Sequence, residues 1–223
     1  LTSSTNDYLT NYSATDTPKL LMARNQDPSL KEAFENRSNF NYDITGWDVS
    51  YITNMSFTFN RATSFNQNIS SWNVINVTGM NYMFYGCSSF NKPLNNWNVS
   101  NVIDMISMFE NCTNFNQDLN SWNVTSITSN GRKMFRGCSN FNGNVSNWNV
   151  STWTDMYALF HGCTMFNQDL SLWNVSNVTD FEDMFYECIN FNQSLASWNT
   201  GSGTDMNRMF YGCKRFNQNI GNF

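Results

Sequence analysis

A Phe-Asn pair returns along this chain at Phe40, Phe65, Phe90, Phe115, Phe141, Phe166, Phe191 and Phe216, at intervals of 25 residues with a single interval of 26. A fixed period of this length means that one small unit is copied, and that each copy finds its contacts in its neighbours. Other residues keep the same register. Trp follows each Phe by seven residues, at Trp47, Trp72, Trp97, Trp122, Trp148, Trp173 and Trp198. Val49, Val74, Val99, Val124, Val150 and Val175 come two positions later. A Met-Phe pair such as Met83-Phe84 or Met108-Phe109 closes the unit, and Cys follows three residues on. The segment Leu30 to Phe34 fits this frame, so repeats are expected over residues 29–223, about eight of them. Residues 1–28 do not fit, and are read as an extended arm that caps the first unit or reaches a neighbouring subunit.

Two local structures are expected in each unit. Val77, Met80, Met83, Phe84 and Cys87 fall 3, 3, 1 and 3 residues apart, which places them on one face of a short helix. Asn76 or Thr78 would cap its start, and Gly86 suits its end. Between Phe65 and Trp72, Ile69 is apolar among polar neighbours, as on a half-buried strand. The expected fold is an α/β repeat solenoid resembling a leucine-rich-repeat arc. Parallel strands about 4.8 Å apart would line its inner side, and helices about 8–10 Å apart its outer side. The extra residue, between Ser126 and Lys133, should bulge outward near Gly131, which stands in the Met column.

Composition narrows the function. Only 13% of the residues are charged and the net charge is −5, which excludes the clustered basic surface of a nucleic-acid binder. No apolar run reaches the roughly 18–20 residues that direct membrane insertion requires. There is one His, no Gly-rich phosphate loop and no nucleophile elbow, so the chain is not read as an enzyme and no cofactor is expected. Asp43, Asp118 and Asp169 share a column, but Asn68, Pro93 and Asn144 interrupt it, so a solvated acidic face is favoured over a Ca²⁺ site and no metal is expected. The first residue is not Met and a further repeat begins at Phe216, which suggests a trimmed sequence.

The frame Trp-Asn-Val-Ser-Asn-Val-Thr-Asp-Met, followed by Met-Phe-x-Gly-Cys-x-x-Phe-Asn-Gln, resembles the BspA-like surface-protein repeat best known from mycoplasma lipoproteins. It is also similar to BspA-type leucine-rich repeats. The likeness covers roughly residues 29–223. It implies an extracellular or cell-surface protein used in adhesion or recognition, and it implies no catalytic residues. Many relatives carry Ala where this chain has Cys.

Each column has a functional and a plainer reading. Cys87, Cys112, Cys138, Cys163, Cys188 and Cys213 could pair as neighbouring disulfides, but bridged Cα atoms must lie within about 7 Å and adjacent helices would sit farther apart. Small buried thiols are the favoured reading. The Trp column is read as core rather than as a sugar platform. The Asn after each Phe is read as a buried ladder that satisfies the next unit's backbone, and Asn73, Asn98, Asn123, Asn149, Asn174 and Asn199 are read the same way. Asn76, Asn98, Asn123, Asn149, Asn174 and Asn177 lie in N-x-Ser/Thr sequons that a eukaryotic host would glycosylate. The candidate contact face is the strand side: Asp43 and Thr45, Asn68 and Ser70, Asn95, Asp118 and Asn120, Asn144 and Ser146, Asp169 and Ser171. Its partner would be a protein or glycan on another surface. The alternative is a structural subunit that stacks head-to-tail into an extracellular filament.

Overall fold

The computed structural model describes residues 28–128, 130–221 and 223. Among them no residue is helical, and sheet pairing is reduced to five isolated parallel bridges: Ser29 with Asn54, Asn54 with Gly79, Gly79 with Asp104, Asp155 with Asp180, and Asp180 with Asp205. The expected α/β solenoid, with one strand and one helix per unit in a leucine-rich-repeat-like arc, is therefore corrected. What the chain forms is a series of repeated coils, each about one 25-residue period long, built of turns and joined to its neighbours by hydrogen bonds. The arm proposed for residues 1–28 lies, but for Pro28, outside the described residues.

The helix fails for a backbone reason. In each Met-Phe arm (residues 79–87 in one coil) two residues four apart take left-handed φ, such as Phe57 at 59° with Arg61 at 59°, and Tyr82 at 56° with Gly86 at 69°. A right-handed helix cannot pass through such residues. The hydrogen bonds alternate accordingly. Phe57, Phe59 and Arg61 donate to the carbonyls of Asn81, Met83 and Tyr85 one coil on, at 3.0, 2.9 and 2.7 Å. Thr58, Asn60 and Ala62 donate within their own coil to Met55, Phe57 and Phe59, at 3.2, 3.1 and 2.8 Å. Turns that close over three residues repeat the apolar spacing of a helix, so Val77, Met80, Met83, Phe84 and Cys87 are all buried.

The Phe-Trp arm (residues 90–97 in the same coil) was expected to be the paired strand. Among the described residues one backbone bond joins adjacent arms of this kind, from Leu119 N–H to the Asn144 carbonyl at 3.0 Å. Side chains join the rest. Trp97 Nε1 donates to the Ile69 carbonyl at 3.0 Å, and Trp122, Trp148, Trp173 and Trp198 repeat the contact one coil on each time. Thus the segment expected to be helical carries the backbone ladder, and the segment expected to be a strand is held by side chains.

The core is a set of aromatic columns. Phe84 stacks on Phe90 of its own coil at 4.3 Å between ring centroids and on Phe109 of the next at 5.5 Å. Phe90 meets Phe115 at 6.0 Å, and Trp122 meets Trp148 at 6.4 Å. Both arms step by similar distances, so the wide helical layer that would have bent the stack into an arc is absent. Every Phe and Trp column between these coils is almost fully buried, which removes apolar area from water at about 25 cal/mol per Å².

The longer coil meets the pattern differently from the expected bulge. The bridge column is interrupted between Asp104 and Asp155, and Asn130 takes a left-handed φ of 63°. Gly131 is buried rather than displaced outward, and its space is taken by Trp153, which stands where other coils carry Val.

Candidate functional site

The expected contact residues do share one flank, exposed or half-exposed throughout. Much of their hydrogen-bonding capacity is spent inside the protein. Asp43 Oδ1 accepts from the Thr45 N–H at 2.9 Å and its hydroxyl at 2.7 Å, which holds the Asp43 carboxyl below the usual carboxylate range. Asn68, Asn144 and Asp169 each accept from the N–H two residues on, at 3.2, 2.9 and 2.8 Å. Such Asx turns fix the local chain direction. Asp118 and Asn120 instead reach the next coil, accepting from the Asn144 and Asn147 N–H groups at 2.8 Å each. Asn95 accepts from Ser121 N–H at 3.0 Å. The free valences of this flank are the remaining carboxylate oxygens and amide groups.

The Asn ladder forms, but on the surface rather than buried. Asn91 Oδ1 accepts from Asn116 N–H at 3.0 Å, and Asn116 Oδ1 from Asn142 N–H at 2.7 Å. Gln117 and Gln168 add a second rung through Nε2. The other Asn series does not reach the next coil: Asn98, Asn123, Asn149 and Asn174 accept from the N–H two residues on. All four are exposed. At Asn76 and Asn177 the amide nitrogen, the atom a glycan would occupy, already donates to the Ser50 and Ser151 carbonyls at 2.7 and 2.8 Å.

The six cysteines are free thiols. Each donates to the Phe carbonyl of the coil before, as Cys112 Sγ does to Phe84 at 2.8 Å. Burial pushes these thiols well above their ordinary range, and Cys213, half-buried, up to about 11. A thiol held this way is a poor nucleophile. Among the described residues no three His, Cys, Asp or Glu side chains converge as a metal site.

Two features escaped the sequence. On the outer side of the Met-Phe arms, Arg136 pairs with buried Glu110 at 2.7 Å, and Arg208 pairs with Asp183 at 3.0 Å. His161 lies 3.6 Å from the Asp183 carboxylate and stacks on Tyr186 at 4.4 Å. Burial first, and then Arg136, push the His161 pKa below its ordinary value against the pull of Asp183. Glu110, Arg136, His161 and Tyr186 stand directly after the Phe of the pair, or of its Leu-Phe equivalent, and Asp183 and Arg208 directly before the Met, so these two positions carried that signal. The second feature is a shallow groove of about 320 Å³ over Gly79, between Asn54 and Asp104.

The sequence profile of a family described as Mycoplasma protein of unknown function, DUF285, matches residues 28–133 and again residues 125–223. The chain belongs to this family. Each match spans about four coils, so the DUF285 unit is itself a set of repeats and this chain carries two in succession. No curated protein matches the sequence. No helix among the described residues of this DUF285 protein is long and apolar enough to cross a membrane.

Proposed function

We propose that this DUF285 protein is a non-catalytic recognition protein of the extracellular surface, binding protein or glycan through its polar Phe-Trp flank. One observation carries the reading: the same small polar positions recur coil after coil on one exposed flank, from Asp43 through Asn68 and Asp118 to Asp169. A rigid row of modest hydrogen-bonding groups suits an extended ligand better than a single deep pocket would. The likeness to BspA-like repeats supports a surface location. The test is binding of labelled protein to intact cells and to a glycan array. Replacing Asp43, Asn68 and Asp169 together by Arg should abolish retention if this flank makes the contact. Retention unchanged in a folded triple variant removes the flank from the proposal.

A second reading has its own support. In the last described coil, the N–H groups of Met206, Arg208, Phe210 and Gly212 stand where earlier coils donate onward, and they have no partner among the described residues. In the first coil, buried Trp47 Nε1 has no acceptor among the described residues, although the later tryptophans of its column each have one. Copies stacked head-to-tail would join these faces and extend the ladder, a contact that does not close on itself. Sedimentation velocity over a wide concentration range tests it, and a strict monomer at the highest concentration removes it.

A further inference from the structure

The groove over Gly79 goes beyond these readings, because it lies on the Met-Phe side and does not depend on the polar flank. Gly79 occupies the bridge column, where the other coils place Ser29, Asn54, Asp104, Asn130, Asp155, Asp180 and Asp205. Its φ is not left-handed, so the backbone does not require glycine. Glycine avoids a tight contact there, since a Cβ would sit 3.0 Å from Ser56 Oγ and 3.3 Å from Asn54 Oδ1, close enough that those side chains would have to give.

It also leaves a donor. Ser29, Asn54, Asp104, Asp155, Asp180 and Asp205 each accept, through the side chain, the N–H two residues on, at 2.8 to 3.0 Å. Gly79 has no side chain to do this, and the Asn81 N–H has no acceptor among the described residues. Asn81, whose backbone N–H is unused among the described residues, is one of the residues lining this groove of about 320 Å³. Its volume lies at the lower end of the range of about 300–1,000 Å³ typical of small-molecule sites.

The walls define the chemistry. Asp104 supplies a carboxylate, and Asn54 an amide, so the rim both accepts and donates. The Asp104 charge disfavours an anion, and the Lys31 ammonium is drawn to Glu32 at 3.6 Å. Ile103, 48% exposed, and the Phe57 ring, stacked on Tyr82 at 4.8 Å, give apolar patches on either side. A neutral ligand with one strong carbonyl acceptor, an N–H, several hydroxyls and a small apolar group fits this set. We propose that the groove over Gly79 binds an N-acetylhexosamine unit. The acetamido carbonyl accepts from Asn81 N–H, the methyl packs against Ile103, and ring hydroxyls donate to Asp104.

The experiment is an amide-detected NMR titration of the full chain with N-acetylglucosamine, with glucose as the control. The Asn81 amide is expected to shift with N-acetylglucosamine and to respond far less to glucose, which lacks the acetamido group. Gly79→Asn restores the column's side chain, narrows the groove and gives Asn81 N–H an internal acceptor. That variant should keep the parent's circular dichroism spectrum and lose the shift. Asp104→Asn keeps the acceptor for Ile106 N–H but removes the charge, and should weaken binding by about tenfold, as loss of a charge-assisted hydrogen bond does. An Asn81 amide that ignores the sugar, or a Gly79→Asn protein that still binds it, overturns the site. Should Gly79→Asn not fold, Asp104→Asn binding as tightly as the parent overturns it alone. An Asn81 amide that ignores the sugar in a protein that still adheres to cells would remove the groove and leave surface recognition standing. Sugar binding in a protein that adheres to no cell would do the reverse.

Discussion

A Cβ on Gly131 would lie 2.5 Å from Cζ3 of Trp153, one coil on. The two residues exchange volume across neighbouring columns. Gly131 stands where other coils place Met, and Trp153 where they place Val or Ile. A second exchange runs the opposite way: Phe181 fills a Met position and Gly203 a Val position in the following coil, where a Cβ would sit 3.4 Å from the Phe181 ring. Close-packed interiors tolerate such swaps only when total volume is kept.

Gly131→Ala should therefore destabilise the protein by about 1–3 kcal/mol, the usual cost of overpacking. Adding Trp153→Val should recover much of that loss, although Trp153→Val alone opens a cavity. Denaturant unfolding of the single and double variants measures the coupling, and strictly additive effects would show that the two residues do not share space.

Trp97→Phe keeps an aromatic ring in its column but removes the donor to the Ile69 carbonyl. A buried carbonyl left unpaired costs about 1–3 kcal/mol. The melting temperature should fall, while far-ultraviolet circular dichroism at low temperature should match the parent.

Alkylation should rank the cysteines. In the native protein Cys213, half-buried and with a thiol pushed up to about 11, should react first, and slowly at neutral pH. Cys87, Cys112, Cys138, Cys163 and Cys188 should react only once the coils open. Mass spectrometry after timed quenching reads the order, and rapid uniform labelling of all six would contradict the buried placement.

His161 gives a pH dependence of known sign. Its pKa is lower in the folded protein than in the unfolded chain, so protonation favours unfolding. The stability it supports is complete above its ordinary pKa of about 6.5 and declines as pH falls below that value. His161→Gln should flatten the melting profile as pH falls below about 6.5. A parent protein whose melting temperature rises on acidification through that range would contradict the assignment.

The period, the core columns and the burial of Trp and Cys were legible because side-chain burial follows sequence spacing directly. The backbone was not. A chain of three-residue turns and a helix both place Val77, Met80, Met83, Phe84 and Cys87 on one side, so spacing alone cannot separate them. The glycines at Gly86, Gly137, Gly162 and Gly212 carried the left-handed signal, but it also fits a helix end. The partner position holds Phe57, Tyr82, Ser107, Lys133, Ala158, Asp183 and Arg208, residues that seldom take such φ. The groove over Gly79 was legible only as one glycine in a column of Asn and Asp, and its meaning depended on knowing that this column caps an N–H.

The backbone ladder of the Met-Phe arms has an evolutionary consequence. Each coil's outgoing donors are met by carbonyls that every other coil also presents, so the joint between two coils is the same wherever it falls. A gene segment encoding one period can be duplicated or lost in frame without any new interface being invented, and the one coil with an added residue keeps the same ladder, from Ser107 to Arg132 and from Phe109 to Met134, by absorbing that residue beside Asn130.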